Sequence, residues 1–308
     1  MKKFLSWSLI AGLALAGTLT LSACGGGGSS SDGASVSSTY TGTTVQATVT
    51  DANAESLAVS GYEGGSDTTS LMVLSAGAEP DHKPQLAQAA SALESIARSL
   101  PIAPSVSPMA LQPPVTGTCG GQFVIDINET QTSMSGSVVF TDYDDCSQVI
   151  DGTITFSGTA DASNNVSVTM TFSTVTFSDP LGSSFSLSGS FSASFDATSE
   201  GGTMSMDVVF SDLDSDETYY YTYTITSVAG VDYEDISVSG RFYDYYAGYL
   251  QITTLDPVRS YNDSEPTSGK LLFEGADGTW LTYEITGSNT YTIEYYDGST
   301  TGFIYGTN

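Results

Sequence analysis

The chain has 308 residues and carries 35 Asp and Glu against 7 Lys and Arg, a formal net charge of −28. A surface of that sign repels phosphate backbones and anionic lipid headgroups, which excludes nucleic acid as a partner and leaves cations and basic partners as natural company. Hydrophobic residues make up 40% and charged residues only 14%; Ser, Thr and Gly fill the difference, a β-rich exported composition that excludes charge-dense disorder.

In chain order, Lys2 and Lys3 precede an apolar run from Phe4 to Leu21 broken only by Ser, Thr and Gly, the build of an export leader with a small-residue end for a peptidase. The next residues carry the address: Leu21-Ser22-Ala23-Cys24 resembles the lipobox of bacterial lipoprotein signal peptides residue for residue. That resemblance implies removal of residues 1–23 and acylation of both the Cys24 thiol and the new amine. Multiple acyl chains anchor a protein stably where one holds it only marginally. Gly25 rather than Asp follows the cysteine. By analogy with two-membrane lipoproteins, this implies a lipid-anchored protein of the outer membrane, facing the periplasm or the surface. The competing reading is an uncleaved helix, which needs about 20 apolar residues.

Residues 24–38 are a Gly/Ser tether that lifts the folded part off the lipid. Residues 39–116 form a small mixed region. Thr43 to Val49 alternates and predicts a strand, and Asp51 is placed to cap a short helix over 52–58. Thr44-Val45-Gln46-Ala47, Asn53-Ala54-Glu55 and Leu57-Ala58 are together similar to the N-terminus of uncharacterised proteobacterial lipoproteins, a resemblance that implies no activity. Seven of the ten prolines fall within 79–114. Between them the spacing predicts an amphipathic helix over 84–100, with Leu86, Ala89, Ala90, Leu93, Ile96, Ala97 and Leu100 on one face and Pro101 ending it. That face is expected to pack on the β domain or plug its open end; a docking helix for a partner is the alternative. Residues 101–114 read as a semi-rigid spacer.

From 117 to 308 the period switches to two. Val166, Val168, Met170 and Phe172 alternate with Ser and Thr; so do Phe185, Leu187, Phe191, Ala193 and Phe195, then Leu281, Tyr283 and Ile285, then Tyr291, Ile293 and Tyr295. One apolar and one hydroxyl-rich face describe an antiparallel sheet with one wet side. Turn signals at Asp151-Gly152, Ser163-Asn164-Asn165, Asp179-Pro180, Gly201-Gly202, Asp277-Gly278, Ser288-Asn289 and Asp297-Gly298 divide it into about ten to twelve strands. The expected fold is mainly β, an antiparallel meander forming a barrel or a strongly curved sheet, with one amphipathic helix N-terminal to it. Glycines 136, 152, 189 and 240 recur within strand patterns at irregular gaps, which excludes a solenoid and fits bends or bulges. With Cys24 lipidated, Cys119 and Cys146 remain, and an oxidising compartment makes them a structural disulfide; a redox pair would show the Cys-x-x-Cys spacing that is absent.

His82 is the sole histidine, which argues against a Ser-His-Asp triad and removes a multi-histidine metal site. Carboxylates carry the remaining chemistry. Asp212, Asp214 and Asp216, followed by Glu217, sit at alternate positions; held extended, their side chains point one way and suit Ca²⁺, the one cofactor with a candidate site. They lack the glycine and distal glutamate of an EF-hand loop, and solvated turn charge is the plainer reading, as it is for Asp142, Asp144, Asp145 and for Asp232, Glu234, Asp235. In the last hairpins, turns centred near Asp277 and Ser288 put Lys270 opposite Glu284, Glu274 opposite Trp280, and Trp280 opposite Tyr296. With Glu294 on the same non-core face, this is a candidate sugar-stacking platform or a glycosidase groove; the plainer reading is hairpin-stabilising cross-strand pairs. The expected function is a lipid-anchored envelope protein of binding or structural type, its ligand a glycan, a cation or another envelope protein. The alternatives are a carboxylate-dependent polysaccharide hydrolase acting through Glu274, Glu284 and Glu294, and a membrane-embedded β-barrel.

Overall fold

A computed structural model describes residues 37–62, 113–130, 132–146, 148–160, 165–178, 184–195, 201–261 and 266–307. Cys24, the leader expected over 1–23, His82 and the helix expected over 84–100 lie outside these residues.

Helix α1 (54–62) comes first. Fourteen strands follow: β1 (Val115–Thr116), β2 (Gly120–Glu129), β3 (Ser133–Asp144), β4 (Val149–Ala160), β5 (Val166–Ser178), β6 (Ser184–Phe195), β7 (Gly202–Asp212), β8 (Thr218–Ala229), β9 (Tyr233–Asp244), β10 (Gly248–Tyr261), β11 (Ser268–Glu274), β12 (Trp280–Gly287), β13 (Thr290–Tyr296) and β14 (Thr301–Thr307). They form one antiparallel meander in strict chain order, each strand paired with its sequence neighbours, and β1 and β14 stand at the two ends. The excess over ten to twelve strands comes from the ends: β1 has two residues, and β14 is a short glycine-interrupted strand after Asp297-Gly298.

The two-residue period sorts side chains onto two faces. One face is buried from Phe123 and Ile125 on β2 through Phe177, Phe185, Phe242 and Phe273 to Ile293 on β13. Stacked rings run along part of it, Phe177 on Phe185 at 4.8 Å and Phe185 on Phe210 at 5.2 Å. Helix α1 packs on this face through Ala54, Leu57, Ala58, Gly61 and Tyr62, positions i, i+3, i+4, i+7 and i+8 of a single stripe. Tyr62 stacks on Tyr283 at 4.5 Å, and the fully buried Tyr223 hydroxyl donates to the Gly61 carbonyl at 3.0 Å.

The segment before α1 holds the sheet from both sides. Tyr40 lies on the opposite face against Val209, Tyr220, Tyr243 and Tyr249. Its hydroxyl donates to the Asp244 carbonyl at 2.8 Å, and burial foremost, then the Asp244 charge, push its titration well above the ordinary tyrosine range. The chain then threads the fork between β10 and the β11–β12 turn. Tyr249 N–H donates to the Val45 carbonyl, Ala47 N–H to the Tyr249 carbonyl, and Ala276 N–H to the Ala47 carbonyl. Thr43 to Val49 is therefore no ladder strand: it makes an isolated parallel bridge at Gln46 and Tyr249. The helix also starts later than Asp51 suggested. Asn53 locks the preceding turn by accepting from the Thr50 N–H at 2.7 Å and donating to the Thr48 carbonyl at 3.1 Å. Asp51 instead accepts the hydroxyl of Tyr295.

Asp151-Gly152 is not a turn. It lies inside β4, beside a β-bulge centred on Thr174, whose φ is 49°. Gly152 and Gly189 flank that bulge on the two neighbouring strands, with φ of 122° and 123°. A Cβ at Gly152 would lie 2.6 Å from the Thr174 carbonyl oxygen, and one at Gly189 2.1 Å from that of Asp207. The spacing read as a turn signal serves a close strand-to-strand approach.

Candidate functional site

The expected disulfide is present: Cys119, just before β2, joins Cys146, in the β3–β4 turn, with Cα atoms 5.1 Å apart. It closes 27 residues of chain at the β1 end of the sheet and stabilises by about 3–4 kcal/mol in the chain-entropy account.

The aspartates at 212, 214 and 216 do not share a direction. The chain turns at 213–215 rather than staying extended. Asp212 caps that turn, its Oδ1 accepting from the Asp214 N–H at 2.8 Å and the Ser215 N–H at 3.2 Å. Asp214 reaches across to accept the Ser184 N–H at 3.0 Å, and Asp216 sits at φ 60°. Glu217 is clamped by two tyrosines, accepting from the Tyr219 hydroxyl at 2.7 Å and the Tyr246 hydroxyl at 2.8 Å. Burial and, second, this carboxylate push the Tyr219 hydroxyl well above its ordinary range.

Several of the other acidic groups are similarly occupied. Asp144 and Asp145 accept turn N–H groups of Cys146 and Gln148. Asp235 takes Arg259 in a two-point ion pair at 2.6 Å, with the guanidinium 4.1 Å from the centre of the Tyr233 ring. Among the described residues no group of three or more His, Cys, Asp or Glu is arranged to hold a metal ion.

The C-terminal hairpins form as their turns predict. Lys270 pairs with Glu284, Glu274 with Trp280 and Trp280 with Tyr296. A single 3₁₀ turn, Ala276–Gly278 with Asp277 at φ 56°, sets the first register, and Asn289 at φ 78° turns the second hairpin. Because Leu271, Phe273, Leu281, Tyr283, Ile285, Tyr291, Ile293 and Tyr295 all point to the buried side, their neighbours share the opposite face. Those neighbours form a lattice of three rows: Glu274, Trp280, Tyr296, Thr301; Leu272, Thr282, Glu294, Phe303; and Lys270, Glu284, Thr292, Tyr305. Four strands and five residues along each give a patch of about 14 by 13 Å.

Within it, the Trp280 and Tyr296 rings stack at 6.3 Å with a 29° interplanar angle. Phe303 is 56% and Tyr305 77% exposed. Glu274 lies directly opposite Trp280, and Glu294 directly opposite Phe303. Glu284 is taken by Lys270 at 2.7 Å. Thr282, between Leu272 and Glu294, is buried with its hydroxyl unpartnered. Sequence reasoning named Trp280, Tyr296, Glu274 and Glu294 for this face but not its neighbours Phe303 and Tyr305; the alternation Phe303-Ile304-Tyr305 was the available signal, masked by the glycines on either side. The arrangement offers a partly exposed aromatic surface with carboxylates in adjoining positions and one engaged cation.

Comparison of the chain with protein-family models, with curated proteins and with solved structures finds no match.

Proposed function

We propose that this chain is a lipid-anchored cell-envelope binding protein that holds a glycan on the non-core face of β11–β14. The observation that carries the reading is the stacked Trp280–Tyr296 pair continued by exposed Phe303 and Tyr305, with Glu274 and Glu294 in adjoining positions. A pyranose ring has a face of C–H bonds that gains by covering an aromatic ring, and an equator of hydroxyls that donate to carboxylates. A chain of net charge −28 selects against anionic polysaccharides and for neutral or amine-bearing ones. The Cys24 motif supplies the mooring, through the lipobox resemblance. The rest of the body is best read as a strongly curved sheet wrapped over α1: the buried face continues through β2–β13, and bulges interrupt several ladders.

Glycan hydrolysis has less support: Glu284 is held by Lys270, and Glu274 and Glu294 stand in different rows two strands apart on one face rather than opposed across a single bond. A membrane-embedded barrel needs every edge paired, whereas β1 and β14 end the sheet separately in the described residues. The test is binding of the intact protein to immobilised chitohexaose, chitosan oligosaccharide, cellohexaose and alginate. Retention on the neutral or amine-bearing sugars is expected, weakened about tenfold or more by Trp280→Ala or Tyr296→Ala. Equal retention of the variants, or retention on alginate alone, sinks the proposal.

A further inference from the structure

The two ends of the sheet are built differently. At one end β1 has only two residues, and the Cys119–Cys146 bridge is adjacent. At the other, β14 runs seven residues without a charge, a proline or a register shift, and among the described residues no strand pairs with its far side. Charge, proline and bulges are among the devices by which natural sheets prevent edge-to-edge pairing. β14 lacks all three, in a chain that carries 35 acidic residues.

The strand also reads alike in both directions. Thr301-Gly302-Phe303-Ile304-Tyr305-Gly306-Thr307 is a palindrome about Ile304 once Phe and Tyr are equated. In an antiparallel pair of identical strands related by a two-fold axis each residue meets its mirror position about the axis, so in this strand like meets like. We propose that β14 pairs with β14 of a second copy of this chain, antiparallel, about an axis through Ile304.

The register follows from the palindrome. Thr301 lies opposite the partner's Thr307, Gly302 opposite the partner's Gly306, Phe303 opposite the partner's Tyr305, and Ile304 opposite the partner's Ile304. Directly opposed residues point to one face, so both buried faces stay on one side and both lattices on the other; a one-residue slip would break that match. Aromatic and Thr–Thr pairs are among the favourable cross-strand neighbours. Gly302 and Gly306 are fixed for a separate reason: a Cβ at either would lie 2.1 Å from the ring of Tyr295 or Tyr291.

The dimer joins the two aromatic surfaces, placing the partner's Tyr305 beside Phe303 in the row that holds Glu294. Glu294 and the partner's Glu294 stand three strand spacings apart and two residues out of line, about 16 Å, which exceeds the screening length of about 8 Å at physiological salt. The net charge on each copy still opposes approach, so added salt strengthens the association.

The test uses the full chain with Cys24→Ser, so that an introduced thiol is the one free thiol. Directly opposed residues have Cα atoms about 4.5–5.5 Å apart, within disulfide reach. Ile304→Cys therefore cross-links to itself under mild oxidation. Thr301→Cys alone does not, but does so when mixed with Thr307→Cys. In sedimentation equilibrium the parent protein shows a monomer–dimer equilibrium that tightens with salt, and Phe303→Lys with Tyr305→Lys shifts it to monomer with an unchanged circular dichroism spectrum. A folded parent that stays monomeric up to about 100 µM at every salt concentration overturns the proposal. Cross-linking of Thr301→Cys alone as readily as Ile304→Cys overturns it too.

Discussion

Leu57→Ala is the sharpest probe of how the N-terminal segment belongs to the fold. Leu57 is 1% exposed, between Ala54 and Ala58 at 0%, on the stripe that α1 turns to the sheet. One turn later the helix backbone already touches the sheet: a Cβ at Gly61 would lie 2.5 Å from the Phe273 ring. The helix therefore cannot settle further to close the cavity. The loss belongs in the upper part of the usual range for such a truncation, about 3–4 kcal/mol. For a protein of this size that lowers Tm by about 6–16 °C. Thermal and urea melts followed by circular dichroism measure it, with the exposed Ser56→Ala as a control expected within about 0.5 kcal/mol of the parent. A loss below about 1 kcal/mol with an unchanged m-value would refute the docking of α1 as a core element.

Four further outcomes are expected. Reduction of Cys119–Cys146 lowers unfolding stability by about 3–4 kcal/mol, read as a shift in urea midpoint with and without reductant. Gly189→Ala, which puts a Cβ against the Asp207 carbonyl at φ 123°, destabilises by about 1–3 kcal/mol or more, whereas an alanine in place of exposed Thr224 on β8 changes the midpoint little. The Asp297 carboxyl is lowered from 3.8 to about 2 by accepting the Thr300 and Ser299 backbone N–H groups and the Ser299 hydroxyl. Its contribution is therefore whole above the unfolded value and fades as pH falls through about 2, so Asp297→Asn should flatten that part of the acid limb of stability against pH. Tyr223→Phe removes the donor to the buried Gly61 carbonyl, a cost of about 1–3 kcal/mol in the same melts.

The C-terminal hairpins were legible because three local signals agreed: strict alternation, turn residues able to adopt positive φ at Asp277 and Asn289, and opposed charges at Lys270 and Glu284. The disulfide was legible from the cysteine count and the expected compartment. The N-terminal segment was not. Gln46 bridges Tyr249 across some two hundred residues of sequence, and no local pattern encodes a fork between β10 and the β11–β12 turn. Asp151-Gly152 misled because a positive-φ glycine serves a bulge as well as a turn. The Asp212 series misled because alternate positions align only if the chain stays extended, and the Asx-type bonds of Asp212 bend it instead. Phe303 and Tyr305 escaped notice because Gly302 and Gly306, there to admit tyrosine rings from β13, break the apolar alternation.

The central claim is that Trp280 sits in the glycan site. The chain has two tryptophans, Trp7 and Trp280, so a preparation lacking residues 1–23 reports on Trp280 alone. Titration with chitohexaose or chitosan oligosaccharide should change its fluorescence saturably, with the midpoint raised by Tyr296→Ala and by Glu274→Gln. A Trp280 signal that stays flat while either sugar binds, or that neither substitution moves, contradicts the account.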